Sequence, residues 1–257
     1  MPDLTTLARV KRYLAIPTVN QDAVIAELIP GASRQVVKYC SREFPSVQRV
    51  AQRLSGHGGR QLMLPDAPIL SVESLTVDGK TITPSSDGLT APGYVNDDTS
   101  LLLIGSSFTK ARMNVVVSWT AGFQGSETLF IPAGNTPTLG PDDWGFPAAV
   151  VSVTRVTNGA AMTQVGASPA VGQFTFVDGI FTFNTGDAGS QVVIVYRFVP
   201  SDVERAAIEM VGLDLKQRDN LGIQAKSMAG ENVTYTDKGM TASAREILKP
   251  YRRCYPA

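Results

Sequence analysis

Apolar residues near the start of the chain recur every three or four positions, which is the spacing of one helix face. This first stripe consists of Leu7, Val10, Tyr13 and Leu14. Thr5 or Thr6 can accept a hydrogen bond from the first helical turn, and Pro17 cannot continue a helix. The pattern predicts a short helix between them.

A second stripe begins near Asn20 and consists of Val24, Leu28, Ala32, Val36 and Cys40. Arg34 and Lys38 lie on the opposite side, so one face of this helix must be covered. Pro30-Gly31 interrupts the stripe. Because proline lacks a backbone N–H group, we expect a kink or two abutting helices there.

The hydrophobic period changes to that of β-strands from Pro45 to Phe123. Asp78-Gly79-Lys80 joins two strand-like segments, and its glycine accepts the positive φ of a tight hairpin. Residues 85–100 are rich in Gly, Pro, Asp and Ser, which predicts a loop. Residues 45–123 therefore predict a hairpin-rich β region.

Strand-like periodicity continues from Gln124 to Tyr196 after a connection rich in Pro and Gly. Asn158-Gly159 and Asp178-Gly179 each predict the turn of a hairpin. Charges are few, and small polar residues separate the aromatic ones. We expect a compact β module with its own small core.

The helical pattern returns at Pro200. Ser201-Asp202-Val203-Glu204 matches a capping box, in which Ser and Glu satisfy each other's backbone amides. The stripe that follows consists of Val203, Ala206, Ala207, Met210 and Val211. It predicts a helix to about Arg218, which Asn220-Leu221-Gly222 ends.

The end of the chain predicts one more short helix after a polar stretch with a β-like segment, Val233-Thr234-Tyr235. Ser243-Ala244-Arg245-Glu246 is a second possible capping box, and Pro250 stops the helix. An aromatic and basic segment, residues 251–257, follows. We expect this tail, roughly residues 240–257, to be poorly anchored, because so short a helix is marginal alone. The alternative is that Ile247, Leu248 and Tyr251 fold back on their own subunit.

Composition excludes several classes of protein. Apolar residues make up 43% and charged residues 18% of the 257 positions, so the chain can bury a core. The 23 basic residues equal the 23 acidic ones, which argues against a protein that grips nucleic acid through a basic face. No apolar run approaches the roughly 20 residues of a membrane span. The N-terminus lacks a secretory pattern, so we expect synthesis and retention in the cytoplasm.

Charge is segregated along the chain. Residues 1–60 hold nine basic and four acidic side chains, whereas residues 61–123 hold three and six. One interpretation is that these are the solvated faces of separate elements. The other is that subunits meet through opposite patches.

Catalytic and metal-binding patterns are missing from the sequence. His57 is the single histidine and lies among glycines, which is a poor place to hold a base or a metal ion. Neither aspartate pair, Asp97-Asp98 or Asp142-Asp143, fits the pattern of a calcium-binding loop. Both are predicted to lie in solvent-exposed loops. Cys40 lies on an apolar stripe, and Cys254 has no partner base nearby. We expect no catalytic residue, no cofactor and no metal.

Four stretches together resemble a known family. Residues 4–14 follow the pattern Leu-Thr-x-Leu-x-x-Val-Lys-x-Tyr-Leu, and residues 36–44 follow Val-x-x-Tyr-Cys-x-Arg-x-Phe. Residues 199–209 resemble a last core helix, and residues 248–253 resemble a tail motif. In this order they resemble the head-tail connector, or adaptor and head completion, proteins of tailed bacteriophages. About 75 residues separate Gly122-Phe123 from Val199-Pro200, where compact members have a few, so they look like an insertion.

The resemblance implies an α+β fold with a helical connector core, a β-hairpin-rich arm and an inserted antiparallel β module. The core would comprise N-terminal helices and a long C-terminal core helix. The implied units are the helices in 1–44, the arm in 45–123, the module in 124–197, the core helix in 198–222 and the docking tail in 223–257.

The resemblance also implies a structural virion protein and not an enzyme. It would form a ring of about twelve copies beneath the portal, join head to tail and extend the DNA channel. Its partners would be the portal protein, a neck or tail-completion protein, further copies of itself, and viral DNA passing without sequence-specific binding; no membrane is implied. The alternative is a β-sandwich module that binds a receptor or carbohydrate, which explains residues 124–197 but leaves the terminal motifs unexplained.

Two sets of residues carry this hypothesis. The first is the tail, which the resemblance assigns to portal docking and which comprises Ile247, Leu248, Tyr251, Arg252, Arg253 and Tyr255. The second is a ring-interface helix, which uses the stripe Val203, Ala206, Ala207, Met210 and Val211.

Overall fold

The computed structural model describes residues 3–141, 144–218 and 240–253 in full, and the backbone of residues 225–228 and 231–234. Three hydrophobic cores organise these residues. We call them the helical core, the core of the β arm (the strands within residues 46–122) and the core of the β module (the strands within residues 124–200).

Four α-helices contribute to the helical core. They are α1 (Leu7–Leu14), α2 (Asp22–Cys40), α3 (Ser201–Gln217) and α4 (Ala242–Leu248). The predicted start of α1 is confirmed, because the Thr6 hydroxyl accepts a hydrogen bond from the Arg9 amide at 3.4 Å. The predicted division at Pro30 is wrong: α2 is one helix of 19 residues. Buried side chains on both sides of Pro30, among them Ile25, Ile29, Ala32 and Val36, pack along one face and hold the helix together.

Both predicted capping boxes are wrong. Helix α3 begins after Pro200 without a side-chain cap, because Glu204 is bound to Arg9 of α1 instead. Helix α4 is capped by Thr241, whose hydroxyl accepts from the Ala244 amide at 3.0 Å. In α3 the glutamate of the motif binds a residue of another helix, and in α4 a residue two positions before the predicted serine caps the helix.

The β arm consists of two antiparallel sheets. Its strands are β1 (Ser46–Gly56), β2 (Gln61–Met63), β3 (Ile69–Val77), β4 (Lys80–Ile82), β5 (Gly93–Asn96), β6 (Ser100–Ile104) and β7 (Ala111–Gly122). One sheet has the order β1-β7-β3-β4 and the other β2-β6-β5. The predicted hairpin turn is confirmed: Val77 pairs with Lys80, and Asp78 and Gly79 both have positive φ.

The β module also consists of two sheets. Its strands are β8 (Gln124–Phe130), β9 (Thr138–Leu139), β10 (Gly145–Arg155), β11 (Thr163–Gln164), β12 (Gln173–Val177), β13 (Ile180–Phe183) and β14 (Gln191–Pro200). The orders are β10-β14-β8 and β11-β12-β13-β9. The Asp178-Gly179 hairpin is confirmed. At Asn158-Gly159 the chain turns back as predicted: the Arg155 amide donates to the Ala160 carbonyl at 2.9 Å and the Met162 amide to the Val153 carbonyl at 2.8 Å. After this short pairing, β11 pairs with β12 in parallel.

Two further strands, β15 (Ala225–Met228) and β16 (Glu231–Thr234), pair antiparallel. They overlap the predicted β-like segment at Val233 and Thr234, whereas Tyr235 and the predicted helix end at residues 220–222 lie outside the described residues. No helix in the described part of the chain has the length and hydropathy needed to cross a membrane.

The module starts and ends at neighbouring points. Strands β8 and β14 are adjacent and antiparallel, with Gln124 opposite Arg197. The Phe198 amide donates to the Phe123 carbonyl at 3.1 Å. This geometry agrees with an insertion, but nothing tests the predicted unit boundaries, which stay a prediction.

The predicted fold class is wrong. The chain is mostly β, with 39% strand and 25% helix, and the described residues show neither a long core helix nor a helical connector core. The physical reason is size: α1 and α4 have eight and seven residues, and helices that short depend on tertiary packing. The helical core is completed by Phe44, Phe146 and Val199, which come from outside the helices.

Candidate docking surfaces

The predicted tail is partly anchored in the subunit. Helix α4 packs on α3, and its Ala244 and Leu248 are fully buried in the helical core. Ile247 is half-buried and packs against the same core. This placement agrees with the alternative in which these residues fold back on their own subunit.

Tyr251 lies where the helical core meets the core of the β module. Its ring centroid is 6.2 Å from that of Phe44 and 6.0 Å from that of Phe123, in edge-on arrangements. Phe123 in turn is 5.9 Å from both Phe44 and Phe198. We call Phe44, Phe123, Phe198 and Tyr251 the aromatic junction. Burial in it, followed by the Asp202 carboxylate, raises the pKa of the Tyr251 hydroxyl.

Arg253 fastens the tail to the β arm. Its amide donates to the Cys40 carbonyl at 2.8 Å, and its Nε donates to the Pro65 carbonyl at 2.8 Å. Its Nη2 lies 3.6 Å from Oδ2 of Asp66, which is 1% exposed. Asp66 also accepts from Nε of Arg49 at 2.9 Å, and this hydrogen bond is the main cause that raises the pKa of Arg49. We call these contacts of Arg253 the tail latch.

Among the described residues that were predicted to dock, Arg252 is the one with an exposed side chain. Its guanidinium lies 5.4 Å from the centroid of the Tyr39 ring. Tyr255 lies outside the described residues. The predicted docking set is therefore divided between residues that hold the subunit together and Arg252, and docking itself stays a prediction.

The stripe on α3 that we assigned to a ring interface lies inside the subunit. Val203, Ala206, Ala207 and Val211 are 0% exposed and Met210 is 2% exposed. The stripe packs mainly on α2, and Gly212 faces Leu14 of α1 so closely that a Cβ atom would lie 3.1 Å from the Leu14 side chain.

A clamp between α1 and α3 was missed by sequence reasoning. The Arg9 guanidinium binds the Glu204 carboxylate through Nε and Nη2, and the second contact measures 2.7 Å. Thr5 adds a hydroxyl hydrogen bond at 3.0 Å, and Arg9 stacks 5.3 Å from the Phe146 ring. No local signal links residues so far apart in sequence, and the sequence pattern assigns Glu204 to a helix cap.

A groove of about 580 Å³ runs between α1 and the turn that joins β12 and β13. Arg9 and Arg12 line one side, and Val177 and Ile180, which are 63% and 49% exposed, line the other. Exposed apolar pairs in a concave surface are typical of interfaces. The groove is therefore a surface on which a protein can dock.

The residues examined as possible catalytic groups or metal ligands lie in places that explain them as parts of the fold. Burial raises the pKa of the Cys40 thiol to about 11. Asp97 accepts hydrogen bonds from the Thr99 and Ser100 amides, which lower the pKa of its carboxyl and fix a turn. His57 is exposed at the far end of the arm. Asp142, Asp143 and Cys254 lie outside the described residues, and within the described ones no three potential ligands gather as a metal site would require.

Comparisons with known proteins give one family. A family model described as head completion protein matches residues 3–131, which comprise α1, α2, the β arm and β8. A solved structure, the neck of an empty GTA particle computed with C6 symmetry, contains a similar chain with 18% identity and a TM-score of 0.29. That match covers 47% of this chain and 66% of the neck chain. No curated protein matches the sequence.

Proposed function

The chain belongs to the head completion protein family, and from this we propose that it forms a closed ring of about twelve copies beneath the portal. The resemblance predicted from the terminal motifs is confirmed, and so are the phage structural character and the virion location that it implied. The family is structural and is not known as an enzyme family. The ring, its copy number and its DNA channel are the parts we propose.

The observation that carries the proposal is the extent of the family match. It covers both N-terminal helices and the whole β arm. The alternative, a receptor- or carbohydrate-binding module, explains the β module alone and leaves these matched elements without a role. A ring component also needs a head-to-tail contact that closes on itself.

We place that contact at the groove beside α1. The stripe on α3 is used within the subunit, whereas Val177 and Ile180 are exposed beside Arg9 and Arg12. Apolar side chains that form the centre of an interface, with cations at its rim, match the usual anatomy of protein contacts. A neighbouring copy would cover the hairpin tip of the β module.

We place portal docking at the outer face of the tail. Arg245, Lys249 and Arg252 are exposed there, with Glu246 the acidic residue between them on α4. Arginine is a common anchor of interfaces because its guanidinium combines stacking with directed hydrogen bonds. Leu248 and Arg253 would support this face from below by fixing the tail to the subunit.

Negative-stain microscopy of the protein mixed with its purified portal tests the proposal. We expect stacked rings, and we expect the double variant Val177→Asp/Ile180→Asp to remain a folded monomer that forms no ring. Val151→Asp/Val156→Asp is the matched control, because both valines are exposed on β10 or just after it, away from the groove lining. Rings formed by the groove variant would place the contact elsewhere. A wild-type protein that binds glycans or cells but never the portal would favour the binding-module alternative.

Arg252→Ala separates docking from folding. We expect weaker portal attachment with an unchanged unfolding midpoint, because the side chain is exposed. Tyr251→Ala is the contrasting variant and should lower the midpoint, because its ring packs in the aromatic junction. Full attachment by the Arg252 variant would exclude this residue from docking.

A further inference from the structure

Three connections of the β arm meet at its end farthest from the helical core. The Gly58 amide donates to the Phe108 carbonyl, and the Phe108 amide to the Gly59 carbonyl, both at 2.8 Å. The Asp78 amide donates to the Asn114 carbonyl at 3.0 Å. These bonds join the turn at 57–60 to the loop before β7 and the turn at 78–79 to the start of β7. We call this end, together with the adjoining strand ends, the arm tip.

The arm tip carries five exposed cations. They are Arg53, Arg60, Lys80, Lys110 and Arg112. They come from β1, the turn after it, β4, and the start of β7 with the loop before it, so the sequence does not show them as a run. Within the described residues, none of the five side chains donates a hydrogen bond or forms a salt bridge, although Lys80 lies within electrostatic range of Asp78.

Acidic residues of the arm are held elsewhere or already bound. Asp78 is the carboxylate at the tip; the neutral Thr109 and Asn114 side chains donate to it and leave its charge in place, so the five cations outnumber it. Asp66 and Asp98 lie at the near end, where β3 starts, and Glu73 in mid-strand accepts from Thr120 at 2.8 Å. Asp87, in the loop before β5, binds the backbone of its own loop. Residues 61–123 carry a net negative charge, but the arm tip itself is positively charged.

We propose that the arm tip binds the phosphate backbone of double-stranded nucleic acid without sequence preference. Exposed Arg and Lys side chains from several chain segments are the groups that contact phosphates. Contacts to phosphates carry no sequence information directly, so cations that act on the backbone give no preference for a sequence. An acidic protein would centre on apolar anchors, whereas the turns and strand ends that carry these cations expose one large apolar side chain, Met113.

The proposal predicts a definite salt dependence. Five phosphate contacts give a log–log slope of about −4.5 of affinity on salt concentration. Affinity would then fall about 500-fold between about 50 mM and about 200 mM salt. The isolated chain suffices for this measurement, so it does not depend on the ring or on the portal.

Fluorescence anisotropy with a labelled duplex of arbitrary sequence tests it. The tip variant Arg53→Gln/Arg60→Gln/Arg112→Gln should bind at least about tenfold more weakly at low salt, and its slope should fall to about −1.8. The control Arg34→Gln/Lys38→Gln/Lys216→Gln removes the same charge from exposed helix positions and should keep both affinity and slope. Equal unfolding midpoints show that all three proteins are folded.

Several results would overturn the proposal. They are no salt-dependent binding by the wild type, an equal loss in the control variant, an unchanged tip variant, or affinities that differ sharply between duplex sequences. If the wild-type protein does not bind the duplex, and the tip variant also fails to attach to portal-bearing heads, we would conclude that the tip binds an acidic protein instead. Failure of ring formation alone would contradict the proposed function and leave the duplex measurement intact.

Discussion

The β arm and the β module are built alike but are attached differently. Each consists of two small, mainly antiparallel sheets around its own core, and each begins and ends beside the aromatic junction. The core of the arm consists of arm residues alone. The module instead supplies Phe146 and Val199 to the helical core.

The arm meets the rest of the chain through polar contacts. Arg253 binds the Pro65 carbonyl and lies near Asp66, and both acceptors belong to the arm. Polar contacts at partly exposed sites contribute little stability compared with a buried aromatic ring. The difference teaches that the segment resembling an insertion is the one that is packed into the helical core, whereas the family-matched arm is held more loosely.

Deleting residues 124–197 and joining Phe123 to Phe198 through a short linker tests the comparison most severely. We expect the helices to remain folded, because Phe123 and Phe198 are already hydrogen-bonded neighbours. Stability should nevertheless fall by at least about 3–5 kcal/mol, because Phe146 is lost from the helical core. Urea unfolding followed by far-UV circular dichroism measures both. Complete loss of cooperative unfolding would show that the module is inseparable from the core.

Phe146→Ala sharpens the same point in the intact chain. The substitution should cost about 3–5 kcal/mol and lower amide-exchange protection in α1 and α3, which Phe146 contacts. Phe108→Ala is the matched control, since Phe108 is fully buried in the arm core. It should lower protection in the arm and leave the helices protected. Identical exchange patterns for the two variants would mean that arm and module are equally coupled to the helices.

Arg253→Ala opens the tail latch and should cost less, about 1–2 kcal/mol, because the lost contacts are hydrogen bonds of a partly exposed side chain. Cys40 reports the opening, since burial holds its pKa at about 11 and keeps it a protonated thiol at neutral pH. In a Cys254→Ser background we expect slow alkylation of Cys40, accelerated by Arg253→Ala. Arg252→Ala is the control and should leave the rate unchanged. Fast alkylation without the substitution would show that the latch does not hold the tail.

The smallest effect concerns the hairpin turns of the two regions. Hydrogen bonds from Thr109 and then Asn114 lower the pKa of Asp78 in the arm. Because the folded pKa lies below the unfolded value, the stabilisation is present above about pH 4 and is lost as pH falls through the folded pKa. We expect amide protection around Asp78-Gly79 to fall with acid, and Asp78→Asn to weaken this dependence. The Asp178-Gly179 turn of the module, where no hydrogen bond from a described residue reaches the Asp178 side chain, is the comparison. A pH-independent arm turn would contradict the assignment.

The sequence by itself determined the local elements and the family. Hydrophobic periodicity located α1, α2 and α3, and the Asp-Gly pairs located two hairpins, because helix stripes and positive-φ turns depend on neighbours within a few residues. The terminal motifs identified the family for the same reason: each is a short, contiguous pattern.

Only the tertiary structure decided how these elements are combined. Glu204 satisfies a local capping pattern, yet it binds Arg9, a partner almost two hundred positions away. The α3 stripe looks like a free interface in sequence, yet α2 covers it. Phe146 completes a helical core from inside a β module, and cations of the arm tip come together from separate segments. A stripe or a charge shows that a residue needs a partner, but its identity depends on which distant segments the fold brings within contact distance.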